Sequence, residues 1–199
     1  GLRVLNAGKH LWCEKSLADS YPHAKDLIEL SRKHRLSLCE GFMFAYHPHF
    51  RRVVNLVSSG FLGQIFTITC RFGMPHLDFD GFRYSNALGG GALLDVGCYP
   101  LSATIRIMGE EPSVIRCLRG EPAGFEVDTD GRALLQFPSG PIAYLEWGLG
   151  RAYRNEIELW GERGSVLTDK IFSKPEDHLA KITVLDHHGA PTEENVPRA

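Results

Sequence analysis

Gln64-Ile65-Phe66-Thr67-Ile68-Thr69-Cys70-Arg71-Phe72 is the stretch at which the hydrophobic period of this chain changes. Phe66, Ile68, Cys70 and Phe72 alternate with Thr67, Thr69 and Arg71, the pattern of a strand with one apolar face. Just upstream the period is helical: Phe50, Val53, Val54 and Val57 form one stripe after Pro48, and Gly60 stops it. Downstream, strands are expected at Val114–Leu118, Arg132–Phe137, Ile142–Leu149, Asn155–Trp160 and Ser165–Thr168, with a weaker one at Lys181–Leu185. Pro138-Ser139-Gly140 and Gly161-Glu162-Arg163-Gly164 supply hairpin turns. One helix near Asp95–Met108 interrupts them. The pattern predicts an open, mostly antiparallel sheet of roughly six strands, with Trp147 and Trp160 packed across it. The polar, proline-bearing end, Gly189–Ala199, is expected to fray.

Toward the start the order is different. Leu2, Val4 and Leu5 followed by Asn6-Ala7-Gly8 read as the last turns of a helix with a glycine stop. His10–Lys15 is a short apolar strand, and Asp19 or Ser20 caps a helix with Pro22 in its first turn. Ala24, Leu27, Ile28 and Ser31 share a face of that helix, and Leu36–Glu40 is a second strand. Strand, helix and strand make a βαβ unit, the building block of a parallel sheet. The fold class expected is therefore α+β: residues 1–41 as the tail of a Rossmann-like α/β domain, then residues 42–199 as a large antiparallel sheet domain with covering helices. The chain begins with Gly1, not methionine, and its start is expected to be a cut end.

Composition narrows the partners. With 199 residues, 43% of them hydrophobic, the chain can bury a real core and is not disordered. Twenty-two basic against 24 acidic residues leave no basic stripe for nucleic acid or an anionic membrane. No apolar run approaches the ~20 residues of a bilayer span. Cys13, Cys39, Cys70, Cys98 and Cys117 are widely spaced within apolar stretches, which suits reduced thiols and a cytoplasmic location. His47-Pro48-His49 and His187-His188 are the only histidine clusters, and adjacent positions on a strand face opposite ways, so no metal is expected. His47, before Pro48 at a helix start, reads as a cap, and Phe42, Phe44 and Tyr46 as core.

Two segments carry chemistry. Ala7-Gly8-Lys9-His10-Leu11-Trp12-Cys13-Glu14-Lys15-Ser16-Leu17-Ala18 ends a strand with an acid and a lysine, at the carboxyl edge where open α/β sheets place ligands. Leu88-Gly89-Gly90-Gly91-Ala92-Leu93-Leu94-Asp95-Val96-Gly97-Cys98-Tyr99-Pro100 turns sharply on three glycines into a helix. Asp95 and Tyr99, four apart, would share a helix face, and Pro100 removes the hydrogen bond to the Val96 carbonyl, so a distorted turn is expected there. The three glycines are no dinucleotide fingerprint, because position 94 is leucine and no βαβ strand precedes them. Arg83 and Tyr84, just before the turn, could bind a substrate phosphate or stack on a base; an ordinary loop salt bridge is equally open for them.

These two segments resemble the signatures of the Gfo/Idh/MocA oxidoreductase family. Residues 7–18 match its A-G-K-H-x-x-x-E-K-P-L-A motif, with Ser16 in place of the usual proline, and residues 89–99 match its G-G-G-x-L-x-D-x-G-x-H/Y motif, ending in Tyr99. Glu40–His49, Arg83-Tyr84 and Gly91–Pro100 look most similar to the nucleotide-diphosphate sugar 3-ketoreductases, with trans-dihydrodiol dehydrogenases also close. The resemblance implies an NADP- or NAD-dependent enzyme that moves a hydride between nicotinamide and a carbon of a sugar or sugar nucleotide. It implies Lys15 and Tyr99 as catalytic residues, Glu14 and Lys15 beside the cofactor, and Asp95 orienting the sugar hydroxyls or Lys15; with Asp95, Arg83 and Tyr84 are the candidate substrate-binding residues. Tyr99 would give its proton to the new alkoxide, and since a free phenol has a pKa of ~10, a neighbouring ammonium such as Lys15 would favour the phenolate. The family's first ~90 residues, which carry the dinucleotide fingerprint, lie outside this sequence, as do its closing helices, so this length alone is expected to be inactive. In the family the outer sheet face commonly pairs with a second subunit. Here Ala143, Leu145, Trp147 and Leu149 on one face and Ile142, Tyr144, Glu146 and Gly148 on the other suggest two substantially apolar faces and hence a homo-oligomer. A different reading is a non-enzymatic sugar-binding or dimerisation module, in which Lys15 and Tyr99 would have no chemistry to do.

Overall fold

A computed structural model describes residues 1–79 and 81–197, and these form two compact units, Gly1–Phe42 and Met43–Ala199. In the first, α1 (Leu2–Asn6) stops before Gly8, whose φ of +71° suits a residue without a Cβ. Strands β1 (Leu11–Glu14) and β2 (Leu38–Gly41) run parallel, Leu11 opposite Leu38 and Cys13 opposite Glu40. Between them lies α2 (Tyr21–Lys33), which follows an extended Ser20, has Pro22 in its first turn and buries Leu27 and Ser31. Proline fits there because the first turn's amides have no intrahelical partner to lose.

The second unit is built on one sheet. After α3 (Pro48–Ser58) come β3 (Ile65–Met74), α4 (Cys98–Met108), β4 (Val114–Gly120), β5 (Asp130–Gln136), β6 (Ile142–Leu149), β7 (Arg154–Gly161), β8 (Ser165–Asp169), β9 (Ala180–Leu185) and β10 (Pro191–Val196). The spatial order is β10-β9-β8-β7-β3-β6-β5-β4, antiparallel throughout except for the parallel pair β3 and β6. Ile68, Cys70 and Phe72, with Ala143, Leu145, Trp147 and Leu149, with Ile157 and Leu159, and with Ile182 and Val184, form the buried face. The apolar stripes of α3 (Phe50, Val53, Leu56) and α4 (Ala103, Ile107) complete this core. Each fully buried leucine or isoleucine in it contributes about 1.5–3 kcal/mol.

Four expectations need correction. The sheet has eight strands, not about six. The segment expected to fray is edge strand β10, paired with β9 from Pro191–Leu185 to Val196–Ala180 and clamped by Arg52, whose Nε and Nη2 donate to Glu194 at 2.7 and 2.8 Å; residues 198–199 of that segment lie outside the described residues. Phe66 does not share the inner face with Ile68: a register shift between Ile65 and Thr67 flips it outward to 62% exposure while Ile65 is buried. An extra residue in one strand reverses side-chain parity, which is how a bulge turns a core-pattern phenylalanine to solvent. Trp160 is likewise on the outer face, edge-to-face with Phe66 at 5.2 Å. That outer face is mixed rather than apolar, since Arg71 bridges Glu146 at 2.5 Å and Glu156 at 3.0 Å across three strands.

Candidate active site

In the first unit β1 delivers Glu14, exposed, and Lys15, half-buried, to the carboxyl end of the parallel pair, and the Lys15–Ser16 peptide is cis. The loop beyond Lys15 is held by Glu40, whose Oε1 accepts from the Leu17 backbone N–H at 2.8 Å. Sequence reading passed over Glu40 as a site residue. Its signal is its register: it faces Cys13 across the parallel pair, one step before the loop it ties.

In the second unit the glycine turn positions Tyr99. Gly89 and Gly91 have φ of +71° and +113°, and a Cβ on Gly91 would come within 2.5 Å of Asp128 Oδ1. Asp128 is buried and receives the chain as it enters the helix, its carbonyl accepting from Ala92 N at 2.8 Å and its Oδ2 from Leu93 N at 2.7 Å. It therefore satisfies first-turn amides from a distance in sequence, and no local pattern announces it. The expected distortion at Pro100 takes the form of a π turn over Leu93–Gly97, after which α4 begins. Proline donates nothing to the previous turn, so the chain can widen there at little cost.

Tyr99, in the first turn of α4, sits among three rings: Phe72 at 5.2 Å and perpendicular, Phe172 at 5.6 Å and Phe44 at 5.9 Å. Its ring is packed by edges and faces, which aims the hydroxyl. Asp95 is 8% exposed and paired with Arg83, whose Nε donates to Oδ2 at 2.7 Å while the guanidinium lies 4.6 Å over the Phe82 ring. Tyr84 turns away from them. It is buried beneath the rings of Phe79, Phe125 and His76, the first and last of them exposed, and its hydroxyl lies 3.0 Å from His76 Nδ1. The structure thus brings Asp95 and Arg83 together and puts Tyr84 in a separate aromatic cluster. Glu14 and Lys15 belong to the other unit.

Two histidines follow Phe44 in the chain, at positions 47 and 49. His47 caps α3, its Nδ1 accepting from His49 N at 3.0 Å. His49 is fully buried, with Nε2 2.6 Å from Thr168 Oγ1. The threonine spends its one proton on the Lys181 carbonyl at 2.6 Å, so it must accept from His49, fixing the Nε2–H tautomer and leaving Nδ1 without a partner. Burial, then the charge of Lys174, holds the His49 pKa down at about 3. In the unfolded chain the same ring protonates below about 6.5. Between those values the unfolded state binds more protons, so stability is intact above pH ~6.5 and falls as pH drops toward 3. Urea midpoints at pH 7 and pH 5 should show this loss, and His49→Gln should shrink it; an unchanged pH slope in the variant would exclude His49 as its source. Among the described residues no group of three histidine, cysteine or acidic side chains is placed to hold a metal.

Residues 50–167 match the family model described as GFO/IDH/MocA C-terminal domain. The chain is 35% identical over 202 residues to a dTDP-3,4-didehydro-2,6-dideoxy-alpha-D-glucose 3-reductase of Saccharopolyspora spinosa, covering 99% of this chain and 61% of that protein. It is 30% identical over 166 residues to a trans-1,2-dihydrobenzene-1,2-diol dehydrogenase of Xenopus laevis, covering 83% of this chain and 50% of that one. Among solved structures, a 3-ketoreductase of Actinomadura kijaniata in complex with NADP and TDP-benzene superimposes with a TM-score of 0.89 at 30% identity, over 98% of this chain and 60% of that one. Other structures of the same 3-ketoreductase carry a tyrosine-to-phenylalanine or a lysine-to-alanine replacement. The chain thus spans from half to about three-fifths of the length of these three relatives.

Proposed function

Because this chain belongs to the GFO/IDH/MocA family, we propose that it is the substrate-handling part of an NADP(H)-dependent oxidoreductase that reduces a carbonyl carbon of a sugar nucleotide. The observation that carries the reading is the placement of Tyr99: a glycine turn clamped by Asp128 and a π turn set its ring among Phe44, Phe72 and Phe172, so that its hydroxyl is the one polar group it can offer to a ligand. Supporting it, the lysine and tyrosine replaced in the Actinomadura 3-ketoreductase are separated along the chain by the same number of residues as Lys15 and Tyr99.

In this reading NADP(H), when bound, exchanges the hydride with the substrate carbon. The carboxyl ends of the parallel pair fit one end of such a cofactor, where the Glu40 tie shapes the loop and Glu14 and Lys15 emerge. Tyr99 then donates its proton to the oxygen that becomes the alcohol, and Lys15 is proposed as the second catalytic residue, a cation suited to the negative charge that gathers in such a step. Asp95 and Arg83 lie on the substrate side as a charged pair, with Asp95 also fixing Arg83 against Phe82. Residues 1–41 are read as the tail of the dinucleotide-binding domain and residues 42–199 as the substrate and oligomerisation domain.

The complete gene product, given NADPH and a dTDP-3-keto sugar, is expected to oxidise NADPH in step with formation of the 3-hydroxy sugar. Absence of turnover across a panel of nucleotide-linked keto sugars would sink the assignment. The outer sheet face, where Phe66 and Trp160 are 62% and 56% exposed, is proposed to pair with a second copy; sedimentation as a monomer at micromolar concentration would refute this. The wide spacing of the five cysteines in sequence supports a reducing, cytoplasmic setting. No helix among the described residues is long and apolar enough to cross a membrane.

A further inference from the structure

The segments that supply the aromatic cradle of Tyr99 also carry nitrogens that the reaction described above does not use. Phe44 stands three residues before His47, and Phe172 stands two before Lys174, so the segments that supply these two rings also supply an imidazole and an ammonium. The Lys174 segment is fixed, not loose. Asn155, 2% exposed, accepts from Phe172 N at 2.9 Å and donates from Nδ2 to the Ser173 carbonyl at 2.7 Å.

Lys174 itself is half-buried, and its Nζ donates to the Ile171 carbonyl at 3.4 Å. Among the described residues no carboxylate pairs with it; Glu176 and Asp177, the nearest acids in sequence, are exposed. Burial lowers its pKa and no opposing charge offsets that. The groups shown to share its electrostatic neighbourhood are basic. His47 and His49 both feel its charge, His178 acts on His49, and Lys170 lies 3.5 Å from His178 Nδ1. The positive end of α3 is in the same neighbourhood, since His47 caps it. A partly desolvated cation with no counter-charge is costly to a protein unless something outside the chain supplies the anion.

We propose that Lys174 receives the phosphate oxygens of the substrate whose carbonyl is handled at Tyr99. The placement rests on the oxidoreductase reading of Tyr99; the anion preference rests on the Lys174 cluster alone. A phosphate ester on the sugar's anomeric carbon and a nucleoside diphosphate present the same oxygens, and the two are separable by experiment.

The test is calorimetric titration of the complete gene product, saturated with NADP, using thymidine diphosphate, glucose 1-phosphate and thymidine. Lys174→Met should weaken thymidine diphosphate binding roughly 10- to 100-fold, while Lys174→Arg keeps it within about threefold. Thymidine binding should not move, and in turnover KM should rise with kcat retained. An equal loss for glucose 1-phosphate assigns Lys174 to the phosphate next to the sugar; a loss confined to thymidine diphosphate assigns it to the nucleotide side. Wild-type affinity for both phosphates in Lys174→Met overturns the proposal, as does a wild-type protein that binds neither. If phosphate binding depends on Lys174 but no sugar is ever reduced, the oxidoreductase reading fails and the anion site stands. Unchanged melting of the methionine variant confirms that binding, not folding, has been measured.

Discussion

Replacing Tyr99 by phenylalanine in the complete gene product is expected to lower kcat by about 10²-fold or more while leaving the affinity for NADP unchanged. The ring would keep its contacts with Phe44, Phe72 and Phe172, since the substitution removes one oxygen and no carbon. Only the proton would go. A rate loss with unchanged binding identifies a group needed at the transition state, because an interaction present equally in the bound state would appear in KM. Lys15→Met should cost a similar factor, and the double variant should be far less impaired than the product of the two, as groups that serve one chemical step are not additive. Multiplicative losses would mean that the two serve different steps. A Tyr99→Phe enzyme with the wild-type kcat would end the proton-donor role.

The second large effect concerns stability. Trp147→Ala should destabilise the sheet unit by about 3–5 kcal/mol, read from the urea midpoint. Trp147 is 5% exposed and lies over two glycines from different elements: Gly97, the last residue of the π turn, and Gly131 on β5. A Cβ on Gly97 would stand 2.9 Å from the indole, and one on Gly131 would collide with its Cζ2. The indole is thus the floor beneath the turn that carries Tyr99, and losing it leaves a void under both. Trp147→Phe should cost much less, because it also removes a buried Nε1–H that has no partner. A loss below about 1 kcal/mol in the alanine variant would show that the turn does not rest on Trp147.

What could be read from sequence, and what could not, divides by the range of the interaction. The helix that begins at Pro48, the seven strands from Ile65 to Leu185 and the break at Pro100 follow from periodicity and from proline's missing donor, both of which are local. The bulge beside Phe66 does not, because it exists only relative to β7; Ile65 and Phe66 are equally apolar and either could face inward. Strand β10 was hidden by its chemistry. Thr192, Glu193 and Glu194 read as a solvated tail, and what makes them a strand is a partner on one side and Arg52, 142 residues away. The site divides in the same way. Its glycines, Lys15 and Tyr99 stand in recognisable runs, whereas Asp128 and Glu40, which hold those runs in shape, act across 35 and 23 residues.

The position of β3 has a consequence for the order in which the sheet can be assembled. Strands β4 to β6 and β7 to β10 are each a meander of sequence neighbours, yet β6 and β7, consecutive in the chain, do not pair, because β3 lies between them. The strand between them is made far earlier: Arg71 of β3 meets Glu146 across 75 residues. Each meander can close on short loops, but joining them requires a long one whose entropy must be met before any contact rewards it. During synthesis β3 therefore waits, with both edges open, until each meander has emerged. Its middle position Arg71, flanked by two glutamates in the finished sheet, keeps a charge on that waiting strand, the device by which natural edges resist pairing with the wrong chain. The residue that ties the two meanders together at the end is the one that protects their connector at the beginning.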